Sequence, residues 1–207
     1  MKAHSAESQA TVTPAKALQF LKEGNNRFVS NLKVNRNLLE QVNDTREGQW
    51  PFAIVLSCID SRTSAELIFD QGLGDVFSVR IAGNILNEDI LGSMEFATKV
   101  VGSRIIVVLG HSKCGAVKGA CDHIEMGNLT TLLNKIQPAV YEEKTTTENR
   151  NSKNAEFVEK VASLNVHLTM ERIRRESVII HELEESGAIK IVGGMYDVDS
   201  GKVEFYE

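Results

Sequence analysis

The sequence predicts an α/β protein with a mostly parallel β-sheet of about four strands, an antiparallel edge strand and flanking helices. Apolar runs at 52–56, 76–81 and 105–109 are continuous rather than alternating, which is typical of parallel strands buried on both faces. Helical patterns at 64–69 and 88–101 separate these runs, as in βαβ units. The chain has 207 residues, 42% of them hydrophobic, which is enough for one domain with a sizeable core.

The N-terminal region divides into a tail and a helical arm. Residues 1–13 are polar and predict a flexible tail ahead of a single domain that spans 14–207. Leucine and phenylalanine recur at near-helical spacing over 14–31, and Pro14 suits the first turn of a helix. A second short helix is predicted at 38–45, just before the first buried strand.

The C-terminal half is mainly helical before it returns to the sheet. Helices are predicted at 129–141 and 155–185. The stretch 142–154 between them is charged and polar without an apolar period, which predicts a loop. Two final strands are predicted at 189–195 and 202–206. The last of these provides the antiparallel edge.

Composition disfavours several classes of protein. A formal net charge of -5 argues against binding to a phosphate backbone, so we expect no nucleic acid partner. No apolar stretch approaches the ~20 residues that span a bilayer, so we expect no membrane partner. The N-terminus lacks the apolar core of a secretory signal, which predicts a cytoplasmic protein, or a periplasmic one after removal of a signal peptide.

Two short motifs place metal-binding side chains after predicted strands. Cys58 follows the first apolar run, and His111 and Cys114 follow the third. Because the carboxyl ends of parallel strands meet at one edge of a sheet, the three side chains are expected to converge there. Two thiolates and one imidazole are ligands that zinc prefers, and three protein ligands leave a fourth position for water or substrate. The pattern therefore predicts a catalytic site with one zinc ion per chain.

Other interpretations of these residues are weaker. Gly110 and Gly115 have the spacing of a P-loop, but Ala116 replaces the required lysine. The same stretch differs from a nucleophile elbow because Cys114 replaces the final glycine. Each cysteine or histidine alone would be an ordinary core residue. That explanation is weak for two motifs that both lie at strand ends.

The motifs Cys58-x-Asp60-x-Arg62 and His111-x-x-Cys114 together resemble the β-class carbonic anhydrases. The likeness extends over about residues 17–205. It implies a zinc lyase that hydrates carbon dioxide reversibly to bicarbonate and a proton by attack of zinc-bound hydroxide. It also implies a homodimer or homotetramer, in which the N-terminal helix packs on a neighbouring subunit.

The resemblance assigns roles to further residues. Asp60 either occupies the fourth zinc position and shuts the site, or pairs with Arg62 and opens it. In the open form, Asp60 orients the hydroxide by accepting its hydrogen bond. Gln49 matches a glutamine that binds substrate, and Phe77 and Phe96 align with the apolar wall of a CO2 pocket at a dimer interface.

One departure concerns an inhibitory bicarbonate site that some members of the family have. Those members use a tryptophan three residues before the first zinc cysteine, together with an arginine and a tyrosine. Here Val55 replaces the tryptophan, although Arg80 and Tyr196 match the other two residues. The inhibitory pocket is therefore not expected in that form.

Two other functions are compatible with the same ligands. One is hydrolysis of a related heterocumulene such as carbonyl sulfide or carbon disulfide. The other is a zinc-holding scaffold without turnover. The presence of Asp60, Arg62 and Gln49 argues against a scaffold, because a scaffold needs only the metal ligands.

Overall fold

The computed structural model describes residues 3–206. Within this range the strands form a single five-stranded sheet. The strands are β1 (Ala53–Ser57), β2 (Val76–Arg80), β3 (Ile105–His111), β4 (Lys190–Tyr196) and β5 (Val203–Tyr206). They lie in the order β2-β1-β3-β4-β5. All neighbouring pairs are parallel except β4 and β5, which are antiparallel. This confirms the predicted mostly parallel sheet with an antiparallel edge strand.

Helices cover both faces of the sheet. They are α1 (Ala6–Ala10), α2 (Pro14–Val29), α3 (Leu38–Thr45), α4 (Ala65–Ile68), α5 (Glu88–Glu95), α6 (Gly115–Cys121), α7 (Gly127–Asn134), α8 (Gln137–Glu142), α9 (Ala155–Glu176) and α10 (Val178–Glu185). A 3-10 turn lies at Ala82–Asn84, and a π-helical turn at Phe96–Val100. Within residues 3–206, none of the helices has both the length and the apolarity that a membrane span requires.

The central strands β1 and β3 are buried on both faces, as the continuous apolar runs predict. Side chains alternate along each strand, so Val55 and Val107 face the α2 side of the sheet. Ile54 and Ile106 face the opposite side, where α5, α9 and α10 complete a second core cluster. Burial on both sides leaves the ends of the strands as the place for polar groups.

Two long helical predictions are each divided in the structure. The predicted helix at 155–185 breaks at Ser177, which has an extended backbone (φ -121°, ψ 107°). Its hydroxyl accepts a hydrogen bond from the backbone N–H of Ile180 and so begins α10. The predicted helix at 129–141 is divided between α7 and α8, where Pro138 occupies the first turn of α8. Proline has no N–H for a preceding helix, so a new helix begins there.

The predicted tail at 1–13 packs on the domain over much of its described length. Residues 1 and 2 lie outside the described residues. Ala6–Ala10 form α1, and the buried Gln9 side chain donates hydrogen bonds to the carbonyls of Pro51 and Val101. Val12 is also buried in the core. This differs from the expected flexible tail, because one amide side chain satisfies two backbone carbonyls that are distant in sequence.

The apolar face of α2 is used within its own chain. Ala17, Leu18 and Leu21 are buried in the same core cluster as Val55 and Val107. These three residues pack within the chain, and a contact between α2 and a neighbouring subunit stays a prediction. The sheet face above β1 and β3 needs an apolar cover, and α2 supplies it.

Candidate metal centre

The parallel register brings the two sequence motifs to one edge of the sheet. Ser57, the last residue of β1, pairs with Arg80 of β2 and Leu109 of β3. His111, the last residue of β3, pairs with Tyr196 of β4. Cys58 follows β1 directly, and Cys114 lies at the N-cap of α6. The predicted convergence at the carboxyl edge is therefore present.

Cys58, His111 and Cys114 form a compact buried group. Their ligand atoms all lie within 4.8 Å of one another, and the two sulfurs are 4.0 Å apart. Tetrahedral zinc with Zn–S bonds of about 2.3 Å places two sulfurs about 3.8 Å apart. The residues present therefore fit a zinc ion in donor type and in spacing.

The imidazole of His111 presents one nitrogen to this group. Its Nδ1 lies 2.9 Å from the carbonyl oxygen of Ser112, and a carbonyl only accepts, so Nδ1 carries the proton. Nε2 therefore has a free lone pair. It is buried and lacks a hydrogen-bond partner among the described residues. Buried nitrogens are normally satisfied, and a bound metal ion would satisfy this one.

The two thiols interact directly. Hydrogen bonds lower the pKa of Cys58 to about 4, with Cys114 contributing most, against the opposing effect of burial. The bond between the two thiols, with burial, raises the pKa of Cys114 above its ordinary range. Amide groups of Ala116 and Val117 at the start of α6 oppose that rise. The protein groups alone therefore favour one negative charge on the pair, and a divalent cation would allow both sulfurs to ionise.

The Cys58 sulfur also receives a backbone hydrogen bond that the motif does not predict. The N–H of Gly83 donates to Cys58 Sγ at 3.3 Å, and Asn165 Nδ2 donates to the Gly83 carbonyl at 2.9 Å. Gly83 has φ +67°, and a Cβ there would lie 2.5 Å from Ile136 Cδ1. Sequence reasoning missed both residues. The available signals were a glycine just after a strand and a lone asparagine among the apolar positions of α9.

His111 is supported indirectly, through contacts that Ser112 makes with the end of the neighbouring strand β4 and the turn after it. The hydroxyl of Ser112 accepts from the backbone N–H of Val198 at 3.0 Å and lies 3.3 Å from Asp197 Oδ1. The N–H of Ser112 donates to the carbonyl of Tyr196. The turn between β4 and β5 therefore positions the carbonyl that orients the imidazole.

Asp60 and Arg62 form an ion pair beside the Cys/His group. Arg62 Nε and Nη2 donate to the two Asp60 carboxylate oxygens at 2.9 and 2.7 Å. The Arg62 guanidinium holds the pKa of the Asp60 carboxyl well below its usual range. Asp60 Oδ2 lies 4.0 Å from His111 Nε2, so the carboxylate faces the ligands while it is bonded to Arg62. Asp60 therefore adopts the arrangement in which it pairs with Arg62, rather than the one in which it occupies the fourth metal position.

The three substrate-binding candidates lie away from this centre. Gln49 is exposed and precedes β1, whereas Cys58 follows that strand, which puts about 16 Å of extended chain between them. Phe77 and Phe96 contact each other, with ring centroids 6.3 Å apart, and line an open groove of about 660 Å³ beside β2. The side chain of Phe96 is half exposed. The fold therefore does not bring these residues to the metal centre of the same chain.

Comparison with known proteins gives a consistent result. A family model described as carbonic anhydrase matches residues 53–203. Carbonic anhydrase 2 of Mycobacterium tuberculosis is 36% identical over 195 residues, which cover 91% of each chain. The structure of the β-carbonic anhydrase CcaA superposes with a TM-score of 0.72 at 26% identity, over 93% of this chain and 86% of that one. A tetrameric β-carbonic anhydrase of Sordaria macrospora superposes with a TM-score of 0.69 at 26% identity, over 77% and 82%.

Proposed function

The chain belongs to the β-class carbonic anhydrases, and from that membership we propose that it hydrates carbon dioxide reversibly at a zinc ion held by Cys58, His111 and Cys114. The products are bicarbonate and a proton. The observation that supports this most is the buried group of two sulfurs and one unpartnered imidazole nitrogen. A structural zinc site would normally supply a fourth Cys or His, whereas a catalytic site leaves that position to water or substrate.

When bound, zinc supplies the Lewis acidity that makes hydroxide available from water near neutral pH. The protein residues then determine what can occupy the space beside the ligands. Cys58 and Cys114 offer thiolates, so together they neutralise much of the charge of the metal. We therefore expect a less acidic water than in a site of three histidines.

Asp60 orients the attacking group in this proposal. Its pairing with Arg62 keeps it ionised, so it is an acceptor only. Its Oδ2 faces His111 Nε2 at 4.0 Å, next to the place that the ligands leave open. From there it accepts an O–H hydrogen bond and directs the oxygen lone pair towards the carbon of CO2. If Asp60 instead leaves Arg62 and ligates the metal, the same carboxylate shuts the site.

The substrate pocket is proposed to be completed by a second copy of the chain. Gln49, Phe77 and Phe96 are too far from the centre of their own chain, whereas a homodimer or homotetramer can place them at the centre of a neighbour. The half-exposed Phe96 and the apolar groove beside β2 suit such an interface. An apolar wall also suits CO2, which carries no charge.

Stopped-flow CO2 hydration on protein of measured zinc content tests this function. We expect about one zinc per chain and activity that rises from roughly pH 6.5 to roughly pH 9. Cys114→Ser is the control for a damaged ligand set. Stoichiometric zinc without turnover at any pH would contradict the proposal and would favour heterocumulene hydrolysis or a scaffold, which carbonyl sulfide kinetics would then separate.

A further inference from the structure

The loop that connects Cys58 to Asp60 is held by an arginine from the neighbouring strand. Arg80, the last residue of β2, donates from Nε to the Cys58 carbonyl at 3.1 Å. Its Nη2 donates to the Asp60 carbonyl at 2.6 Å. A single planar guanidinium therefore bridges the backbone of a metal ligand and the backbone of the residue that orients the substrate.

The same two carbonyls also receive a hydroxyl from within the loop. Thr63 Oγ1 lies 2.9 Å from the carbonyl oxygens of both Cys58 and Asp60, and its one proton is shared between them. The N–H of Thr63 donates to the Asp60 carbonyl as well, at 2.9 Å. The side chain of Thr63 is buried, so its hydroxyl has no competing bond to bulk water. The backbone of Asp60 is therefore held from two sides.

The held backbone of Asp60 restrains the position of its carboxylate. With the backbone held, both carboxylate oxygens bond to Arg62 and Oδ2 stays 4.0 Å from His111 Nε2. A carboxylate oxygen and an imidazole nitrogen bound to one tetrahedral zinc lie about 3.3 Å apart. Ligation therefore requires the Asp60 carboxylate to shift towards the imidazole, and the bonds to Arg62 and to the Asp60 carbonyl oppose that shift.

We propose that Arg80 is a positioning residue which, together with Thr63, holds Asp60 on Arg62 and so keeps the fourth metal position open. This rests on the proposed zinc site. The structure supports positioning rather than anion binding for Arg80, because two of its donor groups are already bonded to carbonyls. Val55, which stands in place of the tryptophan of the inhibitory pocket, is fully buried in the core.

Thiocyanate affinity tests this role, because the anion probes the fourth metal position. The measurement is calorimetric titration of zinc-loaded wild type, Arg80→Met, Asp60→Asn and the double variant. We expect Arg80→Met to bind thiocyanate about tenfold more weakly, since Asp60 now competes for the metal. In the Asp60→Asn background the same substitution should have almost no effect. Arg46→Met is the matched control, because Arg46 is exposed and pairs with Glu47 away from this loop.

The rate of zinc loss to a chelator separates this role from loosened folding. A carboxylate added as a fourth ligand slows zinc loss in Arg80→Met, whereas a disordered site speeds it. If Arg80→Met is poorly folded, Thr63→Val removes one donor at constant shape and should weaken thiocyanate binding in the same direction, by a few fold.

Unchanged thiocyanate affinity in both variants would overturn the positioning role, as would an equal loss with and without Asp60. Faster zinc loss would overturn it too. In each of these cases a wild-type protein that binds zinc and hydrates CO2 would leave the proposed function standing. A wild type without zinc or turnover would refute the function itself.

Discussion

Asp60 and Arg62 are bonded through both carboxylate oxygens, and the pair lies beside the group of Cys58, His111 and Cys114, with Asp60 Oδ2 4.0 Å from His111 Nε2. A third contact, from the Arg62 backbone N–H to Asp60 Oδ1 at 3.0 Å, makes the pair a closed local unit. The Asp60 side chain is 17% exposed and that of Arg62 is 49% exposed. The pair therefore lies at the mouth of the site, where it can break and re-form without repacking the core.

Replacing Asp60 by asparagine should lower activity and change its pH dependence. We expect a fall of about 100-fold in kcat/KM at high pH, because the orienting acceptor is weakened. Arg62 lowers the pKa of Asp60 below its usual value near 4, so the carboxylate is ionised at every pH in this assay. Protonation of Asp60 therefore does not explain a loss of activity between roughly pH 9 and roughly pH 6.5. Competition between Asp60 and hydroxide for the metal does explain it, because hydroxide becomes scarcer as the pH falls. The variant should accordingly lose less of its remaining activity towards acidic pH.

Stopped-flow CO2 hydration across that pH range measures both effects. Arg46→Gln serves as the control for an unrelated charge change. A fully active Asp60→Asn enzyme with the wild-type pH profile would contradict the gating role of Asp60.

Replacing Cys114 by serine should abolish stoichiometric zinc binding. A serine hydroxyl is a much poorer ligand for zinc than a thiolate, so the group loses one of its three donors. Cys121→Ser is the matched control, because Cys121 is a buried cysteine of the same helix that lies outside the candidate metal group. Metal analysis after gel filtration is the measurement. Equal zinc content in the two variants would remove Cys114 from the ligand set.

Replacing Gly83 by alanine should destabilise the protein and weaken zinc binding. The left-handed backbone at φ +67° disfavours a side chain, and the new Cβ would lie 2.5 Å from Ile136 Cδ1. We expect a loss of about 2–4 kcal/mol in the free energy of unfolding. Gly187→Ala has a similar backbone penalty at φ +72° with open space around its Cβ, so it should cost only about 1 kcal/mol.

Urea unfolding of the two glycine variants, with chelator competition for zinc, tests this comparison. Zinc affinity should fall in Gly83→Ala and stay unchanged in Gly187→Ala. If both variants lose the same stability and both keep zinc, the contact between Gly83 and Cys58 has no role at the site.

Replacing Phe96 by aspartate should weaken the proposed homodimer and lower activity together. The side chain is 51% exposed beside an apolar groove, so a charge there would be buried without a partner on association. Ile124→Asp is the control, because Ile124 is 44% exposed and lies outside that groove. Analytical ultracentrifugation and CO2 hydration at several protein concentrations are the measurements. A monomeric Phe96→Asp protein with full activity would show that the site is complete within one chain.

The strands of the sheet and the grouping of Cys58, His111 and Cys114 follow from the sequence pattern. Continuous apolar runs mark strands that must be buried on both faces, and β1, β2 and β3 lie where those runs predict. Parallel strands bring their carboxyl ends to one edge, so residues placed just after two of them had to meet. The convergence of Cys58, His111 and Cys114 could therefore be predicted from their positions after the strands.

The arrangement of the groups around Cys58 and Asp60 depends on tertiary contacts that the sequence pattern does not contain. The pairing of Asp60 with Arg62, the bonds from Arg80 to the loop and the N–H of Gly83 on Cys58 depend on side-chain direction and on the register between β1 and β2. A one-dimensional pattern shows which residues share an edge of the sheet. It does not contain the distances across that edge, because these are set by contacts between residues far apart in the chain.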